Sequence, residues 1–193
     1  QLWKYTNGLD TSPVTRVGNA ERIKSVGNGV TFTRDLITED DIITAVTSLS
    51  DTVAGRLRKY GMRAYGVKVD IKDPYFKVIS RQKQLFTPTN LASEISKNAI
   101  DIIHASWKKG SPIRMLTITG INLTDEFFNE QLSLFEGDGI SRKKGEQIER
   151  TMDEVRRKYG NSSIGFATVI DNDIGAFVRG YTEEESEAED HNK

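Results

Sequence analysis

Cysteine is absent from the 193 residues, and histidine occurs twice, as His104 and His191. The first absence excludes disulfides, thiolate nucleophiles and cysteine metal sites together, and fits a reducing compartment. Two histidines so far apart cannot assemble a histidine triad or a zinc cluster. No run approaches the roughly 18 apolar residues that a bilayer span needs. The opening QLWKYTNGLD has neither the basic nor the apolar region of a secretory signal. A cytoplasmic chain with no membrane partner is therefore expected. The glycine-rich fragments GNG at 27–29 and GDG at 137–139 stand alone, without the lysine and spacing of a phosphate-binding loop. Position 1 is Gln rather than Met, which points to a piece of something longer.

What is present is an ordinary globular composition, 36% hydrophobic and 28% charged, enough for one domain with appendages. The net charge of -1 hides a division along the chain. Residues 1–124 carry 18 Lys/Arg against 11 Asp/Glu, and residues 125–193 carry 9 against 17. A basic part followed by an acidic part suits a polyanion-binding module with a tail of separate purpose, although solvated surface charge alone would also produce it.

Periodicity divides the basic part into six elements. Residues 1–20 show no sustained period and read as a linker. Ile23, Val26, Val30, Thr31, Phe32 and Thr33 mark a strand over 21–36, with a bulge expected near Gly27 and Gly29. Thr38 then caps a helix whose first turn is Glu39, Asp40 and Asp41, with Ile42, Val46, Leu49, Val53 and Leu57 at helical spacing and Gly61 as its end. Tyr65, Val67, Val69 and Ile71 alternate with polar residues as a half-buried strand does. Asp73 and Pro74 turn the chain into a returning strand over 76–87. A second helix, capped by Thr89 or Asn90, carries Leu91, Ile95, Ala99, Ile102, Ile103 and Trp107 and stops at Gly110 and Pro112. A last strand runs from Ile113 to Leu123. The order β-α-β-β-α-β predicts an α+β fold: a four-stranded antiparallel sheet with two helices packed on one face and the other face open.

Catalytic signals are few. The trio Glu39, Asp40 and Asp41 resembles a metal site only until its place at a helix start is considered, where acids favour the dipole. Binding signals are stronger. Lys77, Arg81 and Lys83 share one parity on the third strand, and Lys68 and Lys72 share one on the second, so the sheet would present cations at a pleat spacing of roughly 7 Å. Such cations neutralise nucleic-acid phosphates without reading sequence, or simply solubilise the open face. RNA recognition through this topology is a rival, with Tyr65, Phe76 and Phe86 as its stacking candidates.

The segments RIKSVGNGVTFTRDL, VAGRLRKYG, VKVDIK, SRQKQLFTPT and WKKGSPIRMLTITGINL together resemble the little-finger domain of Y-family translesion DNA polymerases, in that family's order and spacing, over about residues 1–124. QLWKYTNGLDTSPV is similar to the family's exit from its thumb domain. The resemblance implies the same βαββαβ sheet and a domain that lies along the major groove of a primer-template duplex. It places DNA contacts at Lys24, Ser25, Val26, Gly27, Asn28 and Thr31 on the first strand, at Arg81 and Lys83 in the SRxK segment, and at Arg114 opening the last strand. Nothing here matches the metal-binding carboxylates of the family's palm. The parent would therefore be a DNA-directed DNA polymerase with magnesium in a palm outside this sequence, and the chain itself is expected to be non-catalytic, with no cofactor.

Beyond the sheet, Gln131, Leu132, Ser133, Leu134 and Phe135 resemble the pentapeptide that docks on the bacterial sliding clamp, with Gln131 as polar anchor, Leu132 within the motif, and Leu134 and Phe135 as plugs. The expected organisation is a linker (1–20), the DNA-binding domain (21–124), a clamp-binding segment (125–140), an extension with one charged helix (141–181) and an acidic tail (182–193) too polar to bury anything and expected to be disordered. Primer-template DNA and the clamp are the expected partners, in a bacterial cytoplasm at the nucleoid. The alternative is a stand-alone module binding RNA or DNA without a polymerase.

Overall fold

The structure is a computed structural model that describes residues 2–11, 13, 22–125 and 138–176. Four strands, β1 (Ser25–Leu36), β2 (Met62–Lys72), β3 (Val78–Thr89) and β4 (Ile113–Asp125), form one antiparallel sheet in the order β1-β4-β2-β3. Two helices, α2 (Glu39–Lys59) and α3 (Ala92–Ser106), cover one face. A short helix, α1 (Leu2–Thr6), lies within the stretch expected to be aperiodic, its last turn held by Thr6 and Asn7 side chains donating to the Trp3 carbonyl.

The core is where the alternating residues of the sheet meet the helical stripes. Val67, Val69 and Ile71 of β2, Leu116 and Ile118 of β4, and Val26, Phe32 and Leu36 of β1 pack against Ile42, Val46, Leu49, Val53 and Leu57 of α2 and Ile95, Ala99, Ile102 and Ile103 of α3. Each of the larger side chains gains about 1.5–3 kcal/mol on burial. β3 gives only the half-buried Ile79 and Leu85 to this core, so it overhangs the helices as an exposed edge.

Element ends follow local chemistry. Thr38 accepts from the Asp41 amide while Asp41 accepts from the Thr38 amide, a reciprocal box that uses the acid expected there. Gly61, at φ +62°, takes the left-handed turn that closes α2. For α3 the cap shifts from Thr89 or Asn90 to Leu91, because β3 continues through Pro88 to Thr89. Thr89 instead accepts from the Leu91 amide, and the α3 amide of Ala92 donates to Glu149, far along the chain.

The charged extension is part of the same body. Helix α4 (Asp138–Tyr159) and two 3-10 turns, 161–163 and 167–169, fold back over the helical layer, with Val169, Ile174 and Ala176 buried in the common core. Ion pairs replace the apolar anchors that the sequence lacks. Arg156 grips Asp51 of α2 through two bonds of 2.9 and 2.7 Å, with both side chains buried. Arg58 pairs with Glu149 and Asp153, Arg63 with Glu146, and Arg142 with Glu94. Burial pushes the Glu149 carboxyl up, against the pull of Arg58 and the Ala92 amide. At the far end the Thr33 amide donates to the Ile174 carbonyl, and Arg34 is shared by Asp41 and Asp173. That segment and Arg56, which donates to the Gly27 carbonyl, cover the otherwise open edge of β1.

Candidate nucleic-acid interface

Strand register fixes which side chains share the face that the helices leave open, because directly paired residues point the same way. Four rows cross it from β1 through β4 and β2 to β3. They read Ser25, Ile121, Gly66, Gln84; then Gly27, Thr119, Lys68, Gln82; then Gly29, Thr117, Asp70, Ser80; and last Thr31, Met115, Lys72, Val78. None of these positions is aromatic. Of the residues expected to stack on bases, Phe76 and Phe86 are exposed near the two ends of β3 and Tyr65 is half-buried on β2.

The face is low and flush. A Cβ on Gly29 would stand 2.3 Å from Oγ1 of Thr117, one on Gly27 2.7 Å from Oγ1 of Thr119, and one on Gly66 2.9 Å from Ile121. The glycines are therefore occupied space rather than loose joints: neighbouring side chains lie across them. The bulge expected at Gly27 and Gly29 is accordingly absent. Both sit in a regular ladder, and the register shifts between Thr31 and Leu36 instead.

The expected site residues separate by face. Ser25, Gly27 and Thr31 belong to the open rows, and Lys24 is exposed just before them. Val26 puts its side chain in the core, and Asn28 lies opposite buried Ile118 on the helical side. Arg81 and Lys83 pair with Val69 and Val67, so they too point to the helical side of the overhanging strand, where Lys83 meets Asp101 of α3 at 3.0 Å. The expectation that these two and Lys68 with Lys72 form neighbouring cation rows on one face is thus corrected: antiparallel register sets the two pairs on opposite faces. Arg114 lies 3.6 Å from Asp35 at the start of β4. Gln131, Leu132, Leu134 and Phe135 fall outside the described residues.

Charge on the open face is modest. Lys68 and Lys72 stand there with Asp70, which Lys68 contacts at 3.1 Å. The remainder is hydroxyl, amide and backbone, including Asn122, which donates to Gln84 at 2.9 Å. Thr117 and Thr119 escaped the sequence reading, although the alternation of MLTITGI at 115–121 holds the signal: Leu116 and Ile118 face in, so the threonines face out.

The acidic trio serves the fold. Asp41 is consumed by the cap and by Arg34, whose guanidinium holds its carboxyl well below the usual range, and Glu39 contacts His104 at 2.7 Å. Among the described residues no three His, Cys, Asp or Glu side chains converge as a metal site requires. No described helix is long and apolar enough to cross a membrane.

Comparison with known proteins adds the lineage. Residues 23–134 match the impB/mucB/samB family C-terminal domain. A DNA polymerase IV of Acetivibrio thermocellus is 36% identical over 84% of this chain and 41% of its own length. One from Clostridium kluyveri is 30% identical over 88% and 43%. The chain thus spans about two-fifths of the length of these curated relatives. A solved complex of beta-clamp processivity factor and the little finger domain of PolIV is similar at 18% identity and a TM-score of 0.44, over 58% of this chain and 99% of that one. The family match, spanning β1 to β4 and the residues just beyond, makes this chain a member of the impB/mucB/samB family, the C-terminal domain of Y-family DNA polymerases.

Proposed function

We propose that this chain is the placement module of a translesion DNA polymerase, gripping primer-template duplex and docking on the bacterial sliding clamp, while nucleotidyl transfer belongs to domains outside it. The observation that carries the reading is the flush open face. With Gly27 and Gly29 lacking side chains of their own and the Thr117 and Thr119 side chains lying across them, a phosphate backbone can approach the threonine hydroxyls beside β1 closely. Lys24, Lys68 and Lys72 then supply attraction that is indifferent to sequence. Such a contact suits an enzyme that must accept any template. Backbone amides and hydroxyls do most of the positioning, so little base preference follows.

Clamp docking rests on Gln131, Leu132, Leu134 and Phe135. Burying the Leu and Phe would contribute about 3–6 kcal/mol, reduced by the cost of ordering the segment. A weak, exchangeable contact results. Joined to duplex binding it raises the local concentration of the module at a stalled end.

The test is titration of this chain with labelled primer-template DNA and, separately, with a bacterial sliding clamp. DNA affinity should fall steeply with salt and vary little with sequence. Leu134→Ala with Phe135→Ala should abolish clamp binding and leave DNA affinity intact. Salt-independent DNA binding would overturn the first half of the reading, and undiminished clamp binding the second.

A further inference from the structure

The hairpin of β2 and β3 ends in a loop that is tightly held yet presents its aromatic side chains to solvent. Asp73 holds it from within. Its Oδ1 accepts from the amides of Tyr75 and Lys77, each at 2.9 Å. Its carbonyl accepts from the Phe76 amide at 3.1 Å, and its amide donates to the Lys77 carbonyl at 3.0 Å. Every amide from 75 to 77 is therefore spent inside the loop. Outside it stand Tyr75, 88% exposed, Phe76, 79% exposed, and Val78, 53% exposed.

Phe76 also sits at φ +66°, a left-handed conformation that a residue with a Cβ adopts only at a cost. Burial does not offset that cost, because neither ring enters the core, and glycine or asparagine would make the same turn without strain. A strained residue kept in place by its surroundings and pointed at solvent is the kind of outlier that binding loops carry. Lys72 fixes the side of the sheet on which the ring lies. That lysine belongs to the last open row, with Thr31, Met115 and Val78, and its Nζ is 5.8 Å from the Phe76 ring centroid. The loop is thus continuous with the open face and brings to it the aromatic surface that the four rows lack.

We propose that Tyr75 and Phe76 are a stacking station for unpaired bases of a nucleic acid whose backbone lies on the open face. The inference rests on the assignment of that face to nucleic acid. A base inside a duplex is stacked above and below and offers no face to a ring, whereas a base at a strand end or in a single-stranded overhang does. Aromatic rings stack on any base, which suits a surface that otherwise reads no sequence. The acids of the hairpin, Asp70 and Asp73, are engaged by Lys68 at 3.1 Å and by the loop amides. Lys72, next to the Phe76 ring, adds attraction for the phosphate beside the stacked base.

The test titrates the full chain with a primer-template whose single-stranded overhang carries 2-aminopurine, a base analogue that loses fluorescence on stacking, and with the blunt duplex of the same paired sequence. Binding should quench the analogue, and the overhang should raise affinity above that of the blunt duplex. Tyr75→Ala with Phe76→Ala should abolish the quenching and weaken overhang binding about 5- to 150-fold, the loss of one stacked base, while blunt-duplex affinity stays the same. Tyr75→Phe with Phe76→Tyr keeps both rings and should keep both effects. Phe76→Gly relieves the backbone, so it should leave the melting temperature no lower and still reduce the quenching; misfolding cannot imitate that result. Undiminished quenching and affinity in the double alanine variant overturn the station. Blunt-duplex binding with no gain from the overhang overturns it and leaves the proposed function standing, and quenching by the overhang without duplex binding does the reverse. A chain that sediments as a dimer, dissociates on the alanine substitutions and does not quench the analogue assigns the loop to a second copy instead.

Discussion

Glycine on the open face is an instance of a residue chosen for what its neighbour needs. Gly29 sits where a Cβ would meet Thr117 at 2.3 Å from Oγ1 and 3.2 Å from its Cβ, and rotating the hydroxyl away relieves only the first contact. Gly29→Ala should therefore destabilise the domain by about 1–3 kcal/mol, the usual range for overpacking. Thr117→Ala in the same chain should restore part of that, as read by urea denaturation; a neutral Gly29→Ala would show that β1 can move aside. In the sequence these glycines looked like a bulge, since glycine inside a strand often marks one. The threonines that explain them are about 90 residues away, and no local pattern connects the two. Asp41, by contrast, was readable in place, because the residues that use it as a cap are its immediate neighbours.

Among the elements, the six of the sheet domain were legible because each carries its own period, apolar stripe and stop. β3 and α4 were not fully so. β3 alternates less clearly, as an overhanging edge strand is wet on both sides, and its cations have a parity in the sequence but no face; the pairing of Lys68 with Gln82 sets the face. In α4 the anchors are arginine–carboxylate pairs whose partners lie on α2, β2 and α3, so hydrophobic pattern could not reveal its docking. The pairing has a testable consequence. Asp51→Ala leaves Arg156, its side chain 2% exposed, without its carboxylate, and breaking a buried pair from one side costs about 3–5 kcal/mol. Hydrogen exchange across α4 should accelerate accordingly, whereas Asp51→Leu with Arg156→Met should lose much less. Equal losses would mean that the pair is not the anchor.

At the scale of the whole molecule, the extension closes over the helical layer and is latched at its far end by Arg34 between Asp41 and Asp173. Arg34 holds both carboxyls below their ordinary range. Groups lowered in this way stabilise the fold above the unfolded carboxylate pKa of about 3.9 and lose that contribution as the pH falls below it. The Thr33 amide, bonded to Ile174, should accordingly lose exchange protection below about pH 4 before the amide of Val67 in the sheet does. Parallel loss at both would show that the latch does not open separately. The family assignment was within reach of the sequence, and the direction in which each charge points was not. β4 ends at Asp125 and α4 begins at Asp138, and both belong to one folded body. Anything that the twelve intervening residues reach can therefore lie no farther from the nearer of these two posts than about 20–22 Å, the extended length of six residues.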